Sequence, residues 1–411
     1  MQSNKEETVR FKSKHFGGVG ALCGALLALV FATQAAAQTN AKCPDDPLPS
    51  GYDWTDVKAA LENSPFQRGG MIVYHKGEVV YWTGFGWWDG QGCDYFINNH
   101  NFNVASLSKT FTAAVAMAVA QDPNVNFSLN DLVKDHITNA TSLNASQFDD
   151  NGTARLVYDH MTINDLITMM TGHETVSAWP IGLTSCINNP FVSFETCGED
   201  MIAADIAEDD DPNNNSAYVY APGEAFSYGP MSWQILGLAV ANAVNDDFTT
   251  ILEDYLTGPC NLTDTIVKRP NNEWAAGGFE TDLFDGGAFA QALLSGECGN
   301  NHTLFNAASL ASLNEVTVPL QSGSVPTVSS PIKDLDLDYA RGQWVFDQGG
   351  SKIYLGVGAW GAVTFYSPDK DWAAYIHLDD HLLTGYIDAT DLIIKSGGLA
   401  DLIDIQANNN P

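Results

Sequence analysis

The sequence predicts an α+β domain: an antiparallel sheet built from both ends of the chain and flanked by helices, with a mostly helical second subdomain between. Strand-like patterns lie near opposite ends, at 69–90 and 352–378, while helix-period patterns fill the middle. A content of 45% hydrophobic residues in 411 is ample for one large packed core.

The elements follow in order. Residues 38–64 read as a linker and a short helix carried by "DWTDVKAALENS". "GGMIVYHKGEVVYWTGFGWWDG" (69–90) reads as two strands around the turn His75-Lys76-Gly77-Glu78. Residues 106–121 are apolar on every face, which predicts a helix in the middle of a domain. "TINDLITMMTG" predicts a helix over 162–172, with Thr162 as N-cap and Gly172 as stop. Residues 205–216 ("DIAEDDDPNNNS") read as a solvated acidic loop rather than a calcium site, and helices recur at 231–244 and 282–295. At 352–378, "KIYLGVGAWGAVTFYS", the turn "PDKD" and "WAAYIHL" read as a strand pair, and a helix at 386–404 closes the chain before a tail at 405–411.

The first residues carry an address. A basic stretch at 5–15 precedes an apolar run from Phe16 to Ala32, and Ala35-Ala36-Ala37 fits a signal-peptidase site. Residues 1–37 therefore read as a cleaved signal peptide, with an uncleaved signal anchor as the alternative and no membrane contact after cleavage. Export to an extracellular or endomembrane compartment fits the six remaining cysteines, Cys43, Cys93, Cys186, Cys197, Cys260 and Cys298. They allow fifteen pairings; pairing of sequence neighbours (Cys43–Cys93, Cys186–Cys197, Cys260–Cys298) is the expectation. N-x-S/T sequons at Asn126, Asn139, Asn144, Asn151, Asn214, Asn261 and Asn301 point to a secreted glycoprotein. A formal net charge of −32 repels phosphate backbones and excludes nucleic acid as a natural partner.

Chemistry concentrates at "VASLSKTF" (104–111). Lys109 follows Ser106 by three residues, which places both on one helical face. A serine hydroxyl needs a base to become a nucleophile. An amine desolvated by apolar neighbours loses preference for its charged form and can be that base. Two further S-x-x-K occurrences, Ser330–Lys333 and Ser367–Lys370, carry a proline directly after the serine and lead into polar or turn-like sequence, so they are set aside.

With this motif the chain resembles the β-lactamase-related, penicillin-binding-protein-like serine hydrolases: class C β-lactamases, D-alanyl-D-alanine carboxypeptidases and related esterases. The resemblance covers most of residues 65–400. It runs through the opening hairpin, "FNVASLSKTFTAAVAMAVA", "VNFSLNDLVKDHI", "MTINDLITMMTGH", "APGEAFSYGPMSWQILGLAV", "AAGGFETDLFDGGAFAQALLSG" and "GVGAWGAVTFYSPDKDWAAYIHL". It implies a β-lactamase/transpeptidase-like domain over 65–404, with a helical subdomain at about 101–335 and a sheet from 69–90 and 340–380.

The family's Tyr-x-Asn motif stands here as Tyr228-Gly229-Pro230, keeping the phenol and losing the amide. Its Lys-Thr-Gly motif stands as Gly356-Val357-Gly358, followed by Ala359 and Trp360, and has lost its cation. The resemblance implies that Ser106, Lys109 and Tyr228 are catalytic and that the backbone N–H groups of Ser106 and Ala359 form an oxyanion hole. Gly356, Gly358 and Trp360 would line the substrate site. The lost cation and the acidic chain disfavour substrates bearing a carboxylate, so a neutral ester, amide or lactone is the expected small-molecule partner. The alternatives are a catalytically inactive protein that binds a ligand or partner through the same cleft, and a D-amino-acid peptidase or transesterase. No cofactor is implied. The "HLDDH" run spaces His377 and His381 four apart but follows a strand, so it reads as a polar junction and not a metal seat.

Overall fold

The first described helix, α1 (Thr55–Glu62), buries Val57 and Leu61 and packs on the second strand of the pair that follows it. That pair, β1 (Arg68–His75) and β2 (Glu78–Gly86), is a hairpin turning at Lys76-Gly77, both with positive φ. The computed structural model describes residues 49–410 apart from 67, 87–100, 138–146, 149–153, 156–159, 173–185, 187–191, 210–219, 269–272, 331–334 and 379–384. The leader, Cys43, Cys93, His381, Lys333 and the sequons at Asn139, Asn144, Asn151 and Asn214 lie outside these residues.

The middle of the chain is helical, as the periodicity implies. A short strand, β3 (Phe102–Asn103), leads through a 3-10 turn at Ala105–Leu107 into α2 (Ser108–Ala120). Every residue of α2 from Ser108 to Val119 is buried. Its polar side chains survive there because each meets backbone. Thr110 Oγ1 donates to the Gly342 carbonyl at 2.8 Å and Thr112 Oγ1 to that of Ala275 at 2.7 Å, while Ser108 Oγ accepts from the Phe279 N–H at 3.0 Å. Helix α3 (Ile163–Ile167) starts at Thr162 in a capping box with Asp165. It ends earlier than the predicted 172, because Met169 turns left-handed at φ 55°. Helix α4 (Phe194–Asp209) runs through 205–209, where the sequence pattern predicted loop. α5 (Met231–Val244) and α6 (Leu283–Ser295) match their predicted spans, with β4 (Phe279–Thr281) pairing β3 between them.

The C-terminal half of the sheet has more strands than predicted. β5 (Asp338–Tyr339), β6 (Trp344–Gln348), β7 (Ser351–Val357), β8 (Ala362–Ser367) and β9 (Trp372–Leu378) follow one another as antiparallel neighbours. The stretch expected as one strand at 352–367 is folded on itself by a tight turn at 358–361, where Gly361 has φ 83°. The final helix is two, α7 (Gly385–Ile394) and α8 (Leu399–Asn409), separated at Gly397, which has φ 71°. The predicted tail at 405–411 is thus helical to Asn409.

Seven strands form one sheet in the order β5-β6-β7-β8-β9-β1-β2, so both ends of the chain meet where β9 pairs β1. Every residue of β8 and β9 is buried, so both faces of the sheet centre are covered. Helix α6 packs on β1, β8 and β9. It comes close because Gly286 and Gly287 carry no side chain: a Cβ at either would stand 2.5 Å from Tyr375 or Ile72. Cys186 is bonded to Cys197 and Cys260 to Cys298. Asn126, Asn261 and Asn301 are exposed. Among the described residues no helix is long and apolar enough to cross a membrane.

The start of α6 holds a buried acid. Asp285 Oδ2 accepts from the Asp264 N–H at 2.8 Å and from Thr265 Oγ1 at 3.0 Å, and burial, with Asp282 beside it, pushes its carboxyl up to about 7. A folded-state pKa above the unfolded one means the native state holds the extra proton, so this contribution is lost as pH rises from about 4 through about 7. Relative to Asp285→Asn, the wild type is expected to lose stability across that window, by on the order of 3 kcal/mol, in urea unfolding at stepped pH.

Candidate active site

Ser106 enters the site on a strained backbone. The residue before it, Ala105, is left-handed at φ 46°, and its N–H donates to Asn103 Oδ1 at 2.8 Å. Holding a non-glycine residue there costs about 1–3 kcal/mol, and the surrounding packing must supply it. The consequence is a sharp entry from β3 that lifts Ser106 onto the 3-10 turn at the head of α2, where the first backbone N–H groups have no partner within the helix.

One turn on, the Lys109 amine donates to Ser106 Oγ at 3.0 Å and to the Ala276 carbonyl at 2.9 Å. Lys109 is 4% exposed. Burial disfavours the ammonium and brings its pKa down to about 7, so the amine is half neutral near physiological pH. The same nitrogen lies 5.1 Å from the centroid of the Tyr228 ring. Tyr228 stacks on Trp344 of β6 with centroids 5.7 Å apart, and Trp344 meets the buried Tyr339 edge-on. Tyr228 thus approaches Lys109 from the segment before α5, and Pro230 stands as the N-cap of that helix.

The third wall is the β7–β8 turn. A Cβ on Gly358 would fall 2.1 Å from the Val104 carbonyl oxygen, so only glycine lets the strand lie this close to the segment leading into Ser106. The turn is tied by Gly358 N–H to the Ala362 carbonyl at 2.8 Å and Gly361 N–H to the Gly358 carbonyl at 3.1 Å. Ala359 and the exposed Trp360 sit at its tip. Gly356, one residue before the end of β7, is closely packed. A Cβ there would meet Leu107, Thr110 and Thr364 within 2.6 Å, so no side chain fits at this position without displacing them.

The serine, the lysine and the tyrosine singled out from the sequence therefore meet at one point, with the 356–361 strand and turn beside the serine's approach. His377, the next-to-last residue of β9, is a buried ring stacked on Phe102 at 4.1 Å, its pKa driven down to about 3 by burial. Ser367 lies at the end of β8 and Lys370 in the 3-10 turn after it, remote from this chemistry. The sequence reading missed Ala276, whose part is played by a carbonyl, and Trp344, which has no local signature beyond a strand-like pattern. The "AAGGF" segment was the available signal for the first.

The family profile described as Beta-lactamase matches residues 57–381. The chain belongs to the beta-lactamase family. Protein flp of Staphylococcus aureus is 22% identical over 217 residues, a match spanning 53% of this chain and 38% of that protein's length. Among solved structures, the hydrolase EstCE1, described as having promiscuous acyltransferase activity, superposes with TM-score 0.59 at 12% identity, covering 86% of this chain and 96% of that one. A D-stereospecific amidohydrolase from Streptomyces sp. superposes with TM-score 0.58 at 14% identity, covering 86% and 98%. At such identities these structures establish a shared fold.

Because Gly358 abuts backbone, Gly358→Ala is expected to destabilise the protein by about 2 kcal/mol or more in urea unfolding. Gly299→Ala, where nothing lies within 4 Å of the added carbon, is expected to leave stability nearly unchanged.

Proposed function

We propose that this chain is a serine hydrolase that works by acyl transfer on an uncharged small ester, amide or lactone. The reading rests above all on the buried Lys109 amine, 3.0 Å from Ser106 Oγ and poised near pH 7. In the proposed course, Ser106 Oγ bonds to the substrate's carbonyl carbon as its proton passes to the neutral amine of Lys109. The Ser106 and Ala359 backbone N–H groups receive the negative charge on the carbonyl oxygen. The tetrahedral intermediate collapses, the leaving oxygen or nitrogen takes up the proton through Lys109 and Tyr228, and an acyl-enzyme remains. Water then attacks the acyl carbon, giving one proton back to Ser106 and releasing the acid.

The uncharged substrate is argued from Gly356. β-Lactams and peptide termini present a carboxylate, and at this position the chain offers no cation and no room for one without displacing Thr110 and Thr364. The 50 acidic residues against 18 basic ones work in the same direction. Two disulfides among the described residues fit an oxidising compartment, in keeping with a secreted enzyme.

A fluorophosphonate probe is expected to label the wild type and not Ser106→Ala. Lys109→Ala is expected to abolish labelling, while Tyr228→Phe retains part of it. Since only the neutral amine accepts a proton, the labelling rate should rise with pH through a midpoint at about 7. Short p-nitrophenyl esters are expected to turn over and nitrocefin hardly at all. Rapid nitrocefin hydrolysis would contradict the uncharged-substrate reading.

A further inference from the structure

The lysine's surroundings extend to a part of the chain outside the three motifs. Ala276, whose carbonyl accepts from Lys109, belongs to the segment Glu273–Gly278, and that segment is tied down from several sides. Gln234 of α5 donates to the Glu273 carbonyl at 2.8 Å, Thr112 of α2 to that of Ala275, and Lys109 to that of Ala276. The segment turns back on itself, with the Gly278 N–H donating to the Trp274 carbonyl at 2.7 Å. The Trp274 side chain fills the inside of this turn. A Cβ on Gly277 would meet its ring at 2.8 Å, and one on Gly278 would meet its own Cβ at the same distance.

On its other side Trp274 packs against the Cys186–Cys197 disulfide and Met201, together with Val192 and Met231. Met231 is the first residue of α5, three positions after Tyr228. One apolar cluster, centred on a disulfide, therefore bears on two things at once: the turn that presents the lysine's carbonyl acceptor, and the helix start that follows the tyrosine. Trp274 Nε1 is buried without a hydrogen-bond partner among the described residues. The ring as a whole is only partly buried, and the apolar cluster is what it packs against.

We infer that Trp274 is a positioning residue for the proposed reaction, and that the Cys186–Cys197 disulfide holds it in place so that the Ala276 carbonyl stays on the Lys109 amine and water stays out. This rests on the hydrolase reading above. The physical consequence is specific. Lys109 owes its altered acidity to loss of water; Tyr228 is the titratable side chain the structure brings against it, and no carboxylate contributes. Loosening Trp274 admits water, restores preference for the ammonium and moves the amine toward ordinary lysine behaviour. A tether with only a structural role would lower stability and leave the amine's titration alone.

The test is the pH dependence of fluorophosphonate labelling in the full chain. Cys186→Ala/Cys197→Ala and Trp274→Ala are expected to shift the midpoint upward by at least about one unit from the wild-type value, and to cut the rate at pH 7 about fivefold or more. Trp274→Phe is expected to bring the midpoint back toward that of the wild type. Cys260→Ala/Cys298→Ala removes a disulfide from another part of the chain and is expected to lower the melting temperature with no shift in midpoint. If the first disulfide variant does not fold, the Trp274→Ala and Trp274→Phe pair decides alone. A wild type that labels, with Trp274 variants that keep its midpoint, overturns this inference and spares the hydrolase reading. A wild type that never labels at any pH overturns both.

Discussion

An ammonium ion enclosed by protein gives up hydration that few protein groups can replace, and the free energy of that loss appears as a weakened hold on its proton. Lys109 is enclosed in this way. It sits on a helix buried on every side, with one backbone carbonyl and one hydroxyl as its hydrogen-bond partners and an aromatic ring nearby. Much of the remaining architecture serves to keep that arrangement dry and in register. Phe111 of α2 stacks on Phe289 of α6, the 3-10 turn before α2 meets β7 and β8, α5 and the 273–278 segment close another side, and the polar residues of α2 are each assigned to a backbone group of a neighbouring element.

The same constraint explains where the chain accepts strain. A left-handed alanine and a glycine pressed onto a carbonyl oxygen are both unfavourable choices for folding alone. They occur on the two segments that must converge on Ser106, one leading into it and one passing beside it. Several helix ends follow the usual local chemistry: Thr162, Asp282 and Asn306 cap their helices, and Asn245 and Gly296 end theirs in left-handed conformations.

Much of this was legible in the sequence, and the reasons are physical. The two long buried helices at 231–244 and 283–295 are continuous apolar stretches of helix length, the strands at both ends are rich in β-branched and aromatic residues, and the Ser106–Lys109 spacing is itself a helical relation. What escaped was decided by single backbone positions. Met169 stops α3, the 358–361 turn splits one apparent strand into two, and Gly397 divides the last helix, each through a left-handed residue or a tight turn inside an otherwise continuous pattern. Residues 205–209 read as loop from their charge, yet they are the last turns of a helix begun in a less polar stretch. The Ala276 carbonyl and the packing of Trp274 have no side-chain signature at all, since one is backbone and the other an apolar contact made across the fold.

The account stands or falls on the protonation state of one amine. NMR of the protein with lysines labelled at Cε and Nζ, with Lys109→Ala to assign the resonance, follows that amine directly and needs no substrate. A Lys109 signal that titrates at about 7 is the predicted result. A signal that titrates with the exposed lysines, near the ordinary value of about 10.4, would contradict the account.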